Sequence, residues 1–122
     1  MKPMATGDPA QLMQQEAARV IVVNASGVDG IASKTSDYLK AQGMNVVNFG
    51  NTNDYPDKYY YPPLPEHTLL ILHSGKPYAV EYLMALMKFS NQNQFIVDFD
   101  PNAPADITLA AGADWANNSP MP

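Results

Sequence analysis

Apolar and polar positions along this chain switch between two periods. Val20 to Val23 is a continuous apolar run, β-branched throughout, which predicts a strand covered on at least one face. The next residues, Asn24-Ala25-Ser26-Gly27-Val28-Asp29-Gly30, predict a sharp strand-to-helix turn, because Asn and Gly tolerate the backbone angles such a turn needs. Ser26 is placed to cap the following helix, and Asp29 three residues on completes something close to a capping box. From about Val28 to Gln42 the apolar positions are Ile31, Ala32, Thr35, Tyr38 and Leu39, a helical stripe, with Ser33, Lys34, Asp37 and Lys40 left for water. Gly43 stands where a left-handed C-cap is expected.

The pattern then predicts a strand over Asn45–Phe49, a third over Thr68–Leu72, and a helix from Pro77 to about Phe89 with Val80, Leu83, Met84 and Met87 inward. A strand over Phe95–Phe99 and a last one over Asp106–Ala110 follow, closed by Gly112, Asp114 and Trp115. Strand, small-residue turn and helix thus occur twice, at Val20–Gln42 and Thr68–Phe89. Between them, Asn51–His67 holds four prolines and four tyrosines in 17 residues, so it reads as a long loop of the kind that is often functional. Residues 1–18 form a lead-in: either a short helix over residues 11–18, with Asp8 as N-cap and Pro9 in its first turn, or a mobile linker. Residues 19–115 form the domain, and 116–122 a disordered tail.

This element order predicts an α+β fold, a two-layer α/β sandwich of the split βαβ, ferredoxin-like sort, with four to five strands and two helices on one face. A mainly parallel, three-layer sheet is the alternative. The two differ at the last strand. In the split arrangement it runs against the first, and Gly112–Asp114 lies at the opposite end from Ser26–Gly27. In the parallel arrangement the two corners meet.

Composition narrows the function. The 122 residues carry a formal charge of −5 with no basic run, which argues against a nucleic-acid partner. There is no cysteine, so disulfides and thiolate chemistry are excluded. No apolar run approaches the roughly 20 residues of a membrane span, and the first 18 residues lack the apolar segment of a signal peptide.

The candidate chemistry is sparse. If the first and third strands lie parallel and adjacent, both helices begin at one sheet edge. Asn24, Ser26 and Gly27 then face Ser74, Gly75 and Lys76, and two helix starts converge on a carboxylate or phosphate group. The plainer reading is two tight turns, and Asp29 opposes an anion. Tyr59, Tyr60 and Tyr61, with Tyr55 and Trp115, form either an aromatic surface for sugars or proteins or a flap over the sheet. A paired Tyr-rich loop would make the chain a homo-oligomer. His67 and His73 lie about 20 Å apart on one extended strand and cannot share a metal. Asp98, Asp100 and Asp106 read as solvated turn acids rather than a glycosidase pair. No catalytic set, metal site or cofactor is predicted.

Several stretches carry a resemblance. They are Val22-Val23-Asn24-Ala25-Ser26-Gly27-Val28 with Gly30 to Ala32, Leu39 to Gly43 before Val46-Val47, Lys76 to Leu86, and Asp106-Ile107-Thr108 with Gly112-Ala113-Asp114. Over roughly Arg19 to Trp115 the chain resembles the C-terminal domain of the LytR cell-envelope family, the LytR-CpsA-Psr proteins. It departs from the family pattern in its third strand, Thr68 to His73, and in the Pro/Tyr loop before it. The resemblance implies a non-catalytic, extracytoplasmic accessory domain of the cell envelope, binding wall glycopolymer or an envelope protein. Any anchor or signal is expected to lie outside these residues. The glycopolymer-attaching catalytic domain that such a module often follows is not in this sequence, so its activity does not transfer.

Overall fold

The computed structural model describes residues 9–52, 54, 67–87 and 94–118. The elements run α1 (Pro9–Glu16), β1 (Arg19–Asn24), α2 (Ile31–Ala41), β2 (Asn45–Asn51), β3 (Leu69–Leu72), α3 (Pro77–Met87), β4 (Phe95–Val97), β5 (Ile107–Ala111) and α4 (Ala113–Asn118). The five strands form one mixed sheet in the order β2-β1-β5-β3-β4. The fold is an α+β sandwich, as the element order predicts.

The strand order corrects two finer expectations. β5 pairs parallel with β1 and antiparallel with β3, so the last strand does not run against the first. The Gly112–Asp114 and Ser26–Gly27 corners therefore share one end of the sheet, where the Ala25 N–H donates to the Ala111 carbonyl at 2.9 Å. β1 and β3 are not adjacent, because β5 lies between them, and not parallel, because β5 runs with β1 and against β3. Two βαβ units, β1-α2-β2 and β3-α3-β4, lie head to tail with β5 as the seam. The seam position suits its sequence, Ile-Thr-Leu-Ala-Ala, which carries no charge and is buried on both faces.

One face of the sheet carries the helices. Val20, Val22, Leu70, Ile107 and Leu109 meet Leu39 of α2, Ala79 and Leu83 of α3, and Met13 of α1. α1 thus belongs to the core, with Met13 only 2% exposed, and three helices cover this face where two are predicted. Asp8 lies outside the described residues. Ile21, Val23, Ile71 and Ala110 form a second cluster on the opposite face. A bulge between Val20 and Ile21 leaves Val47 without a β1 partner: Val20 faces Val46, and Ile21 faces Asn48.

Local details differ where tertiary contacts override the pattern. α2 starts at Ile31, not Val28, with Gly30 as N-cap at φ +83° and no side-chain cap. Ser26 therefore caps the turn and not the helix. Gly43 behaves as expected: at φ +92° it follows the Gln42 C-cap, and the Gly43 and Met44 N–H groups donate to Lys40 and Leu39 in a Schellman closure. Met84 is exposed where an inward position is predicted, and Ala79 takes the buried place. The residues after Trp115 continue as α4 to Asn118 instead of fraying at once.

Candidate functional site

The carboxyl ends of β1 and β2 form the first corner. β1 and β2 are parallel and in register there, Val22 against Phe49 and Asn24 against Asn51. The turn between β1 and α2 is held by its own side chains. Asn24 Oδ1 accepts from the Ser26 N–H at 3.1 Å and from the Ser26 hydroxyl at 2.6 Å. Asn24 Nδ2 donates to the Val28 carbonyl at 2.7 Å, and the Val28 N–H donates to Ser26 Oγ at 3.0 Å. Gly27 and Gly30 both take positive φ. Asn24 and Ser26 are thus engaged in shaping the loop.

What the turn creates is a crevice of about 330 Å³, with the start of α2 (Gly30, Ala32, Ser33) as one wall and Phe49, Asn51 and Asp54 as the other. Phe49 is 43% exposed, and Asp54 Oδ2 accepts the Asn51 N–H at 2.9 Å. Sequence reasoning singled out Asn24 here and missed Phe49, Asn51 and Asp54. The available signal was the polar run after Phe49, which continues β2 two residues beyond its predicted end.

A second set of motif residues borders this end of the sheet. The Thr68 N–H and hydroxyl donate to Asp114 Oδ1 at 2.9 and 2.7 Å, and the Trp115 N–H donates to the same oxygen. The Gly112 N–H donates to Thr68 Oγ1 at 3.0 Å. A Cβ on Gly112 would lie 2.6–2.8 Å from the His67 and Thr68 backbone, so only glycine fits. His67 Nδ1 lies 3.6 Å from Asp114 Oδ2. Trp115 is buried against Ile31 and Ala111. Its Nε1–H donates to Thr35 Oγ1 at 2.9 Å, and its ring tilts against Tyr38. The terminal Gly-x-Asp is therefore a clasp that ties β3 and β5 to α4.

Ser74, Gly75 and Lys76 lie at the other end of the sheet. The Ser74 hydroxyl donates to Asp106 Oδ1 at 2.7 Å. Asp106 is buried, and burial acts to raise its pKa. The Arg19 guanidinium, the Arg19 N–H and the Ser74 hydroxyl outweigh that effect and hold the carboxyl well below the usual range. At the start of α3, Glu16 of α1 accepts from the Tyr78 and Ala79 N–H groups at 3.2 and 2.9 Å. A carboxylate of the chain itself thus holds the place an external anion would take. The structure does not bring Gly27 and Lys76 together. Tyr59, Tyr60 and Tyr61 lie outside the described residues, and Trp115 is buried.

His73 lies at the opposite end of β3 from His67. Its Nδ1 is 3.2 Å from the Asp98 carbonyl and its Nε2 is 2.9 Å from Thr108 Oγ1. Among the described residues, no three His, Asp or Glu side chains are grouped to hold a metal ion.

A family model described as LytR cell envelope-related transcriptional attenuator matches residues 17–115. The chain belongs to the LytR C-terminal domain family. That match spans the whole sheet and both corners, and makes this a cell-envelope-related domain. The LytR C-terminal domain is not a known catalytic domain. Comparison with curated proteins and with solved structures gives no match. Among the described residues, no helix is long and apolar enough to cross a membrane.

Proposed function

We propose that this LytR C-terminal domain is a non-catalytic, extracytoplasmic module that holds a wall glycan in the crevice between α2 and β2. The observation that supports this reading is the half-exposed Phe49 ring set beside Ser33, Asn51 and Asp54 in a recess of about 330 Å³. An aromatic face packs against the C–H face of a sugar ring, while amide, hydroxyl and carboxylate groups pair with its hydroxyls. Asp54 favours a hydroxyl-rich, uncharged unit over a phosphate. The anionic-ligand alternative, built on Gly27 and Lys76 together, loses its support because the two helix starts lie at opposite ends of the sheet.

Titration of the isotope-labelled domain with wall disaccharide and muropeptide tests the proposal. The expected result is amide shifts at Ser33, Phe49, Asn51 and Asp54, with affinity lowered at least tenfold by Phe49→Ala. Shifts that are absent from the crevice, or that persist unchanged in the Phe49→Ala variant, would overturn it.

A further inference from the structure

The opposite edge of the sheet carries a different surface. β4 is the terminal strand, and its pairing with β3 continues beyond Val97: the Asp98 N–H donates to the Leu72 carbonyl at 2.9 Å and the Asp100 N–H to the His73 carbonyl at 3.1 Å. The strand itself ends at Val97, and residues 98–100 follow it alongside the turn after β3. In an extended strand, successive residues turn their N–H and C=O groups to opposite sides. The backbone groups of Val97 thus point away from β3, on the side where no further strand pairs among the described residues.

The side chains divide by the same alternation. Val97 lies opposite Leu72, on the helix-bearing face, and Phe99 follows two residues on. They are 64% and 66% exposed, the most exposed of the large apolar residues among those described. Asp98 follows Ile96 toward the other face, and Asp100, two residues on, opens the next turn. The edge offers two apolar side chains, two carboxylates, and backbone groups between them. No lysine or proline interrupts residues 95–100 as a guard against strand pairing.

We propose that this edge binds a partner protein by strand addition, and that the added strand is a basic segment alternating apolar residues with Lys or Arg. Main-chain hydrogen bonds would supply affinity, and the two faces specificity. Its apolar side chains lie on Val97 and Phe99 while its cations meet Asp98 and Asp100. A second copy of this chain fits poorly. Antiparallel pairing of two such edges sets carboxylates across from carboxylates, in a chain that already carries −5. The site lies four strand spacings from β2, roughly 19 Å across the sheet. It lies at the other end of the strands from the crevice, so it is independent of the glycan reading.

The test uses nine-residue peptides alternating Lys with Val, the same peptide with Glu for Lys, and the Lys peptide N-methylated at alternate residues. Binding to the whole chain is followed by calorimetry and amide shifts. The expected result is that only the unmethylated Lys peptide binds and shifts residues 95–100. Phe99→Ala weakens it about tenfold. The Asp98→Asn/Asp100→Asn pair weakens it at low salt and flattens its salt dependence. Val47→Ala, on the far edge strand, leaves it unchanged. Equal binding of the Glu or the N-methylated peptide, no binding of the Lys peptide, or indifference to Phe99→Ala would overturn the proposal. So would self-association of the domain that Phe99→Ala abolishes.

Discussion

Asp106 holds Arg19 twice over: Oδ2 accepts the Arg19 N–H at 2.8 Å and Nε at 3.3 Å, while Oδ1 lies 3.2 Å from Nη2. The Asp106 N–H returns a bond to the Arg19 carbonyl, and its own carbonyl accepts from His73 and Ser74. One residue therefore fastens the starts of β1 and β5 to the end of β3, which is the seam between the two βαβ halves. Because the carboxyl is held below its unfolded pKa of about 3.9, the ionised form is favoured by folding. That contribution is complete above the unfolded value and is lost as pH falls through it toward the depressed folded value. Thermal unfolding of Asp106→Asn is expected to lie well below the parent at pH 7, with the gap narrowing as pH falls below about 4. A gap that stays constant from pH 7 to pH 2 would contradict this.

Gly112→Ala is expected to destabilise the domain by about 1–3 kcal/mol or more, since the new methyl meets backbone that has little freedom to give. The change also pushes apart the Thr68–Asp114 clasp. In a double-mutant cycle with Asp114→Ala, the double variant should therefore lose less than the sum of the two single losses. Chemical denaturation of the four proteins checks both points.

Glu16 supports α3 from outside it. Glu16→Ala should cost about 0.5–2 kcal/mol, the usual range for a lost helix cap. Met13→Ala should cost about 2–5 kcal/mol by opening a cavity beneath α1. Hydrogen exchange in the first turn of α3 should rise in the Glu16 variant alone.

Two glycines at loop positions should respond oppositely to alanine. A methyl at Gly30 meets nothing within 4 Å, but φ is +83°, so Gly30→Ala should lose about 1–2 kcal/mol from backbone strain alone. Gly75 also has open space and takes no positive φ, so Gly75→Ala should be neutral or stabilise by about 0.4–1 kcal/mol. Melting curves of the two variants separate the cases.

The Asn24–Gly30 turn and the Gly43 cap were legible because their chemistry is local: the residues that need the conformation are the residues that supply it. The crevice was only half legible. Phe49, Asn51 and Asp54 become a wall only once β2 lies parallel to β1 with Asn51 beside Asn24. Glu16 at the start of α3 was not legible at all, since 62 residues separate it from Tyr78. The same holds for Gly112, whose need for glycine comes from the backbone of His67 and Thr68.

By itself the sequence determined the five strands, the α2 and α3 helices, the α+β class and the family, because periodicity, capping and short motifs act over a few residues. Tertiary structure decided where β5 goes. Its uncharged, doubly buried residues suit a seam between β1 and β3, and the Arg19–Asp106–Ser74 bonds pin it there. That choice separates the two helix starts, brings the two motif corners together, and makes β4 the last strand of the sheet among the described residues. Strand order rests on pairings between residues distant in sequence, whose energies no local pattern of side chains encodes.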